Sequence, residues 1–489
     1  MASNDPSQAS VEKKDNMRPT QTHTENCDDI VANHILVDND TAAIEKQKTT
    51  EGEAFFNRLG WKRMTILLIV QAIALGVLAL PKAFATLGLV LGVILTAGVG
   101  LIAFSASVIV GRVCVKYPHV RHYTDIGHLL GGKWGQWIIS FMFVSLLTMT
   151  VGSHCLTGAI AFATLTGSDI CSILWTIVSA VIMLILGLPP SFTEVAVLGY
   201  VDFASIVLAI GVTMIGTGVG SLSDTAKLSP SWTMGPKDGL GVSEIFVAIN
   251  NIVFAYAAVG AQPSYMAEMH TPKDFIKSSR TLVMIQIIIY TLTGSLIYVF
   301  CGQDVESPAI LSTSPLLAKI AFGVAIPVIF ISGSINITTV GRYIHGDIYK
   351  NSITRYINTV KGWVSWIAVV VVVTLFAWLI SEAVPVFSEL LSLAAALFVS
   401  GFSFYIPAIM WFKLLCDDRR YTAKHNILKS LACGLLFLFG VTILVVGVYA
   451  VIDELVSKLI QARGHSLIQS QIKKFEGGGV GKPFSCSAK

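Results

Sequence analysis

Eleven apolar runs of about 20 residues, each long enough to cross a bilayer's hydrocarbon core, constrain this chain more than anything else in it. They lie at 64–86, 89–113, 136–165, 172–188, 193–216, 243–266, 281–301, 316–340, 363–380, 384–412 and 430–452. The chain is 54% hydrophobic and 13% charged, against about 25% charged in a soluble domain. Because the apolar residues come in runs, this reads as an all-α polytopic membrane protein and not a soluble globule. The net charge of +4 is small, and no basic patch points to nucleic acid. The eight cysteines contain no C-x-x-C pair, so no metal or redox cofactor is expected. The spans hold no nucleophile–base pair, metal cluster or phosphate loop, so an enzyme is not expected.

Residues 1–62 are polar and lack a core's worth of apolar side chains, and read as a disordered tail. No apolar stretch near Met1 resembles a cleaved signal, so the first span is expected to act as the targeting signal. Residues 63–453 form the membrane domain and 454–489 a short C-terminal tail. Lys and Arg cluster on one side of the membrane if the count is right: Lys62 and Arg63 before span one, Arg112, Lys116, Arg121 and Lys133 after span two, Lys273, Lys277 and Arg280 after span six, and Lys413 to Lys429 after span ten. The positive-inside rule then makes the N-terminus cytoplasmic. The tail charges Lys458, Arg463, Lys473, Lys474 and Lys482 disagree mildly.

Two of the runs carry an internal proline. Span one contains Gly76-Val77-Leu78-Ala79-Leu80-Pro81, and span six contains Ala258-Val259-Gly260-Ala261-Gln262-Pro263. A proline in a helix interior removes one N–H and clashes with the carbonyl four residues back, here that of Val77 or Val259. Freed backbone at membrane depth survives only inside protein or along a cavity. Spans one to five and six to ten each begin with such a break, and an odd number per half inverts the second half. That is the inverted repeat of secondary transporters, whose broken helices mark the binding site. A packing kink is the alternative for either proline taken alone.

On these residues the chain resembles the amino acid/auxin permease family, within the amino acid–polyamine–organocation superfamily. The resemblance rests on Gly76–Pro81, Phe254–Ala257, Gln262–Met269, Thr271–Phe275, Leu390–Ala396 and Ile406-Pro407, and covers about 55–452. Asn57–Trp61 and the layout are most similar to fungal neutral amino acid permeases. It implies a leucine-transporter-like fold of about 11 helices, a 5+5 inverted repeat with discontinuous helices one and six, and ion-driven amino acid uptake. It favours the plasma membrane, with the vacuolar membrane as the other setting.

An amino acid presents a carboxylate and an ammonium. Free N–H groups at a half-helix start suit the first, and free carbonyls at a half-helix end suit the second. Ala74, Gly76, Val77 and Leu78 are expected to meet these charges, while Phe254, Ala255, Tyr256 and Gly260 shape the side-chain pocket. Neither motif contains Asp, Glu, Lys or Arg. A charged substrate side chain would need a counter-charge at this depth, so a neutral aliphatic or aromatic amino acid is the expected partner. The driving ion is less legible. Ser332 and Asn336, four apart on one face of span eight, could serve sodium, or bond their own helix. Asp202 in span five, His154 in span three and Glu389 near the outer part of span ten are the proton-coupling candidates. The leading expectation is proton-coupled symport; the alternatives are sodium-coupled symport and a receptor that binds without transporting. Cys171 and Cys301 both fall at span ends on the side opposite the basic loops, and their pairing as a disulfide stays open.

Overall fold

The computed structural model describes residues 60–468, except 169, 191, 224–230, 238, 351, 353, 355, 356, 358 and 417–423. The expected N-terminal tail therefore lies outside the described residues but for its last three. Within them the chain folds into helices: α1 (Trp61–Ala72), α2 (Leu80–Leu87), α3 (Leu89–Lys116), α4 (Tyr123–Thr166), α5 (Ser172–Gly187), α6 (Phe192–Ser223), α7 (Val242–Ala255), α8 (Gln262–Ala267), α9 (Phe275–Cys301), α10 (Pro315–Ile348), α11 (Val360–Ala383), α12 (Phe387–Ala394), α13 (Ile406–Met410) and α14 (Lys424–Ile468). Helices are the form that satisfies the backbone within a single segment when no water is at hand.

Each of the eleven apolar runs falls on one helix or one broken helix. Eight described helices are long and apolar enough to cross a membrane, α1 with α2 makes a ninth span bent by 45°, and α5 and α7 are shorter apolar helices. The last helix does not stop at 453 but continues to Ile468. Span ten is assembled from α12, α13 and three π-helical turns at Ala395–Val399, Gly401–Tyr405 and Trp411–Leu415. Such turns widen a helix locally and are frequent at functional sites.

Packing sorts the helices into two groups. α9 lies against α1, α2 and α3, and α2 lies against α7. α10 lies against α4, α5, α6 and α11. The first group thus holds the opening two spans of each half, and the second holds the third and fourth spans of each half, with α6 beside them. The architecture is a leucine-transporter-like 5+5 inverted repeat. The Cys301 sulfur lies 4.0 Å from the Ser312 carbonyl.

Pro327 stands inside α10 and removes a rung from its ladder. The gap is closed from α6: the Ser205 hydroxyl donates to Val324 O (2.6 Å) and accepts the N–H of Val328 (3.2 Å). One side chain thus bridges the rung next to the proline, Val328 N–H to Val324 O, and stitches the two helices. Ser205→Ala is expected to destabilise the protein by about 1–3 kcal/mol, the cost of stranding buried backbone groups, read as a lowered midpoint in thermal unfolding of the detergent-solubilised chain.

Candidate functional site

The first break lies upstream of its proline. The last rung of α1 is Ile73 N–H to Ile69 O (2.9 Å). Ile73 then leaves the helix at ψ 75° and Ala74 is extended at φ −114°, ψ −160°. A 3-10 turn, Leu75–Ala79, follows, with Val77 N–H on Ala74 O (3.2 Å). Pro81 sits at the start of α2, where its absent N–H has no rung to lose. The expected loss at Val77 is thus not what opens the chain; the opening is at Ile73 and Ala74. As the first residues of a 3-10 turn, Leu75 and Gly76 present N–H groups that the turn itself leaves unpaired.

The second break differs. α7 ends at Ala255, Tyr256 adopts φ −101°, ψ 27° with its N–H on Val253 O (3.1 Å), and a 3-10 turn spans Ala257–Gly260. Pro263 again starts the next half-helix, α8. The chain tightens here and does not extend, so the two expected breaks are unequal.

The breaks meet. A Cβ on Gly76 would stand 3.1 Å from the Phe254 ring, so only glycine admits this contact without displacing the ring. The Tyr290 hydroxyl of α9 lies 2.9 Å from Ala72 O, at the end of α1, and 3.0 Å from Ala255 O, at the end of α7. Having one proton, it donates to one of them at a time. Gln286, one turn away, supplies its amide to the Tyr290 oxygen (3.2 Å) and to Ala255 O (3.4 Å). Tyr265 of α8 donates to Gln71 of α1. Tyr256 is held away from solvent, its hydroxyl on Thr96 O of α3 (2.9 Å) and its ring edge-on to Tyr290. Gly260 faces Phe402 of the second π turn. Val77 and Leu78 are buried in the core around the break. Beside the second break, a cavity lined by Leu68, Tyr256, Val259, Gln262 and Gln286 offers about 10 Å³ to the centre of a water molecule, room for about one water.

The coupling candidates separate into two places. Asp202 of α6 is 1% exposed and accepts from the Ser332 hydroxyl at both carboxylate oxygens (3.0 Å each). His154 of α4 packs one residue further along α10: a Cβ on Gly333 would meet its Cβ at 3.3 Å. Asn336 bonds its own helix, donating to Ser332 O (2.9 Å), and Thr338 and Thr339 likewise bond carbonyls one turn back. Glu389 of α12 stands apart. It is 1% exposed and salt-bridged to Lys458 of α14, which also holds Glu454 (3.2 Å). The sequence had placed Lys458 in a tail, apart from Glu389; the unbroken run of α14 brings them together. Asp274 pairs with Lys277 (2.8 Å).

Several residues at the site were not singled out from the sequence. Tyr290 and Gln286 looked like span filler. Their signal was present as polar groups four apart on one helical face, but nothing local said that this face meets both breaks. Glu382, buried near the end of α11, accepts from Thr176 of α5, which also receives the Trp378 indole N–H (3.2 Å). It lay just beyond the expected end of span nine. Asn251 donates to Ser388 (2.8 Å) across α7 and α12. Among the described residues, no group of three or more His, Cys, Asp or Glu side chains could hold a metal ion.

Residues 57–453 match the family model described as transmembrane amino acid transporter protein. The chain belongs to that family. It is 48% identical over 446 residues to the N amino acid transport system protein of Neurospora crassa, covering 91% of each chain. It is 22% identical over 405 residues to a transmembrane transporter of Fusarium pseudograminearum, covering 81% of this chain and 84% of that one. In fold it is similar to a nucleobase-cation-symport-1 family transporter, Mhp1. The match to its closed conformation with bromovinylhydantoin bound has a TM-score of 0.50 at 14% identity, covering 86% of this chain and 95% of that one. The match to the inward-facing conformation has a TM-score of 0.54 at 14% identity, covering 81% and 90%. Function here is therefore membrane transport of amino acids. Tyr290→Phe is expected to leave the fold intact, lower stability by about 1 kcal/mol for the hydrogen bond removed, and weaken amino acid transport. Thermal unfolding and uptake by reconstituted vesicles would measure the two effects.

Proposed function

We propose that the protein is a proton-coupled symporter of neutral L-amino acids, aliphatic or aromatic, working by alternating access around the two broken helices. The observation that carries this reading is the meeting of the breaks, where backbone and neutral side chains are the polar groups at hand. The carbonyls of Ala72 and Ala255 share the single Tyr290 proton, and an ammonium could take its place. The N–H groups of Leu75 and Gly76 suit a carboxylate. Ala74, Gly76, Val77 and Leu78 would meet the zwitterion, and Phe254, Ala255, Tyr256 and Gly260 the side chain. No charged residue in either motif could answer a charged side chain.

For the driving ion, Asp202 is the group that the packing favours. Among the described residues it has the Ser332 hydroxyl as partner and no cation, whereas Glu389 is neutralised by Lys458. A lone carboxyl between helices is held most readily with a proton on it and is freed when water reaches it. The matching name of the Neurospora relative, an amino acid transport system, supports the substrate class. We place the N-terminus in the cytoplasm, on the basic-loop side, and the protein in the plasma membrane, with the vacuolar membrane as the second setting. A sodium-coupled symporter is the second reading, carried by Ser332 and Asn336.

Vesicles containing the purified protein are expected to accumulate a labelled neutral amino acid when an inward proton gradient is imposed without sodium. Accumulation that needs sodium and ignores pH would overturn the proton assignment. Saturable binding without accumulation would leave a receptor in place of a transporter. Asp202→Asn is expected to reduce gradient-driven accumulation to the level of protein-free vesicles while leaving exchange of labelled for unlabelled substrate. Loss of both activities in a folded variant would place Asp202 in the substrate site instead.

A further inference from the structure

On the outside of the bundle, between α3 and α14, a cleft of about 290 Å³ opens where the third π turn ends span ten. That is at the small end of ligand-sized clefts. Its walls are apolar, formed by Phe104, Val108 and Ala432, and its polar end carries Arg112, Lys429 and the indole of Trp411. Phe104, Val108 and Arg112 follow one another at intervals of four, along the face of α3 that turns away from the breaks. Ser107, on another face of the same helix, is bonded to Gln262 (2.6 Å) beside the breaks. The cleft is therefore separate from the transport site.

Three features give the cleft a ligand chemistry. First, its charged groups are all donors: no residue lining it is acidic. Second, Trp411 is only 7% exposed, and its indole N–H has no hydrogen-bond partner among the described residues, although a buried indole usually finds one. Third, the side chains are held in place. Lys429 lies over the Trp411 ring, 5.7 Å from its centroid, and one turn beyond Arg112, Lys116 donates to Leu414 O (2.8 Å), fastening the π turn to α3. The surrounding surface is hydrocarbon-facing: Leu101, Leu428 and Leu431 are each exposed. Two cations and a spare N–H at one end of an apolar cleft, open to the membrane at the end that carries the basic loops, match a phosphate ester with an acyl chain attached and not a soluble anion.

We propose that this cleft binds an anionic phospholipid, its phosphate held by Arg112, Lys429 and the Trp411 N–H and its acyl chain lying along Phe104, Val108 and Ala432. Basic pockets between membrane helices are suited to anionic headgroups. A choline headgroup would place its own cation against Arg112 and Lys429 and bind less well. The site does not depend on which amino acid or ion is carried.

The test is titration of the full-length, detergent-solubilised protein with short-chain phosphatidylserine and, in parallel, short-chain phosphatidylcholine, read by native mass spectrometry. Phosphatidylserine is expected to be retained in preference to phosphatidylcholine. Arg112→Gln with Lys429→Gln is expected to weaken its binding about thirty-fold, at about five-fold for each cation near the surface. Trp411→Phe, which keeps the ring and removes the donor, is expected to weaken it about tenfold, as for a hydrogen bond to a charged group. Equal retention of the two lipids, unchanged binding in the double variant, or displacement of phosphatidylserine by inorganic phosphate at equal concentration would each overturn the proposal.

Discussion

Hydrocarbon offers no hydrogen bonds, so every backbone group that leaves a helix at membrane depth must find a partner within the protein. This constraint organises the structure around its breaks. At Pro327 the partner is a single serine, Ser205, which serves both sides of the gap. At the ends of α1 and α7 it is Tyr290, whose oxygen reaches a carbonyl of each. The two cases differ in kind. Ser205 both donates and accepts, so its gap is closed. Tyr290 has one proton for two carbonyls, with a long contact from Gln286 as the supplement, so its gap is closed only in part. On the proposed reading, substrate meets the second kind of place, where the backbone retains capacity for another donor.

The sequence carried the order of the apolar segments, because lipid imposes a length and a composition that one chain displays without any partner. It also carried the positions of Pro81 and Pro263. It did not carry what the prolines do. Proline's rule against helix interiors points to a carbonyl four residues back, yet both prolines begin a half-helix, where the same missing N–H is harmless. The openings themselves lie at Ile73 and Ala74 in one case and at Tyr256 in the other, neither of which has an unusual side chain. What fixes them there are contacts from distant parts of the chain: Phe254 against Gly76, Tyr265 on Gln71, and Tyr290 on both ends.

The acidic residues show the same limit more sharply. Asp202 and Glu389 look alike in the sequence, each a carboxylate within an apolar run, and both are buried to the same degree. Their difference is the company they keep. Lys458 reaches Glu389 because α14 continues as one helix past the point where its apolar stretch ends. Asp202 meets a hydroxyl from α10. Whether a buried carboxyl is half of an ion pair or a group open to protonation depends on a residue 69 or 130 positions away, and local pattern does not reach so far.

The two packing groups give these contacts a mechanical meaning on the proposed reading. Asp202, Ser332 and His154 lie where α4 and α6 meet α10, within the group built on α10. The paired breaks lie in the group built on α9. α6 packs most heavily on α10 but also touches α9 and α1, so rocking one group against the other leaves the Asp202–Ser332 bond intact where α6 moves with α10. The Tyr290 contacts are also internal to their own group. Each site can therefore keep its geometry while the surfaces between the groups part and admit water from one side and then the other. A carboxyl that remains in place while its access to water changes sides is what coupling to a proton requires. Substrate bound at the breaks would be carried by the same motion.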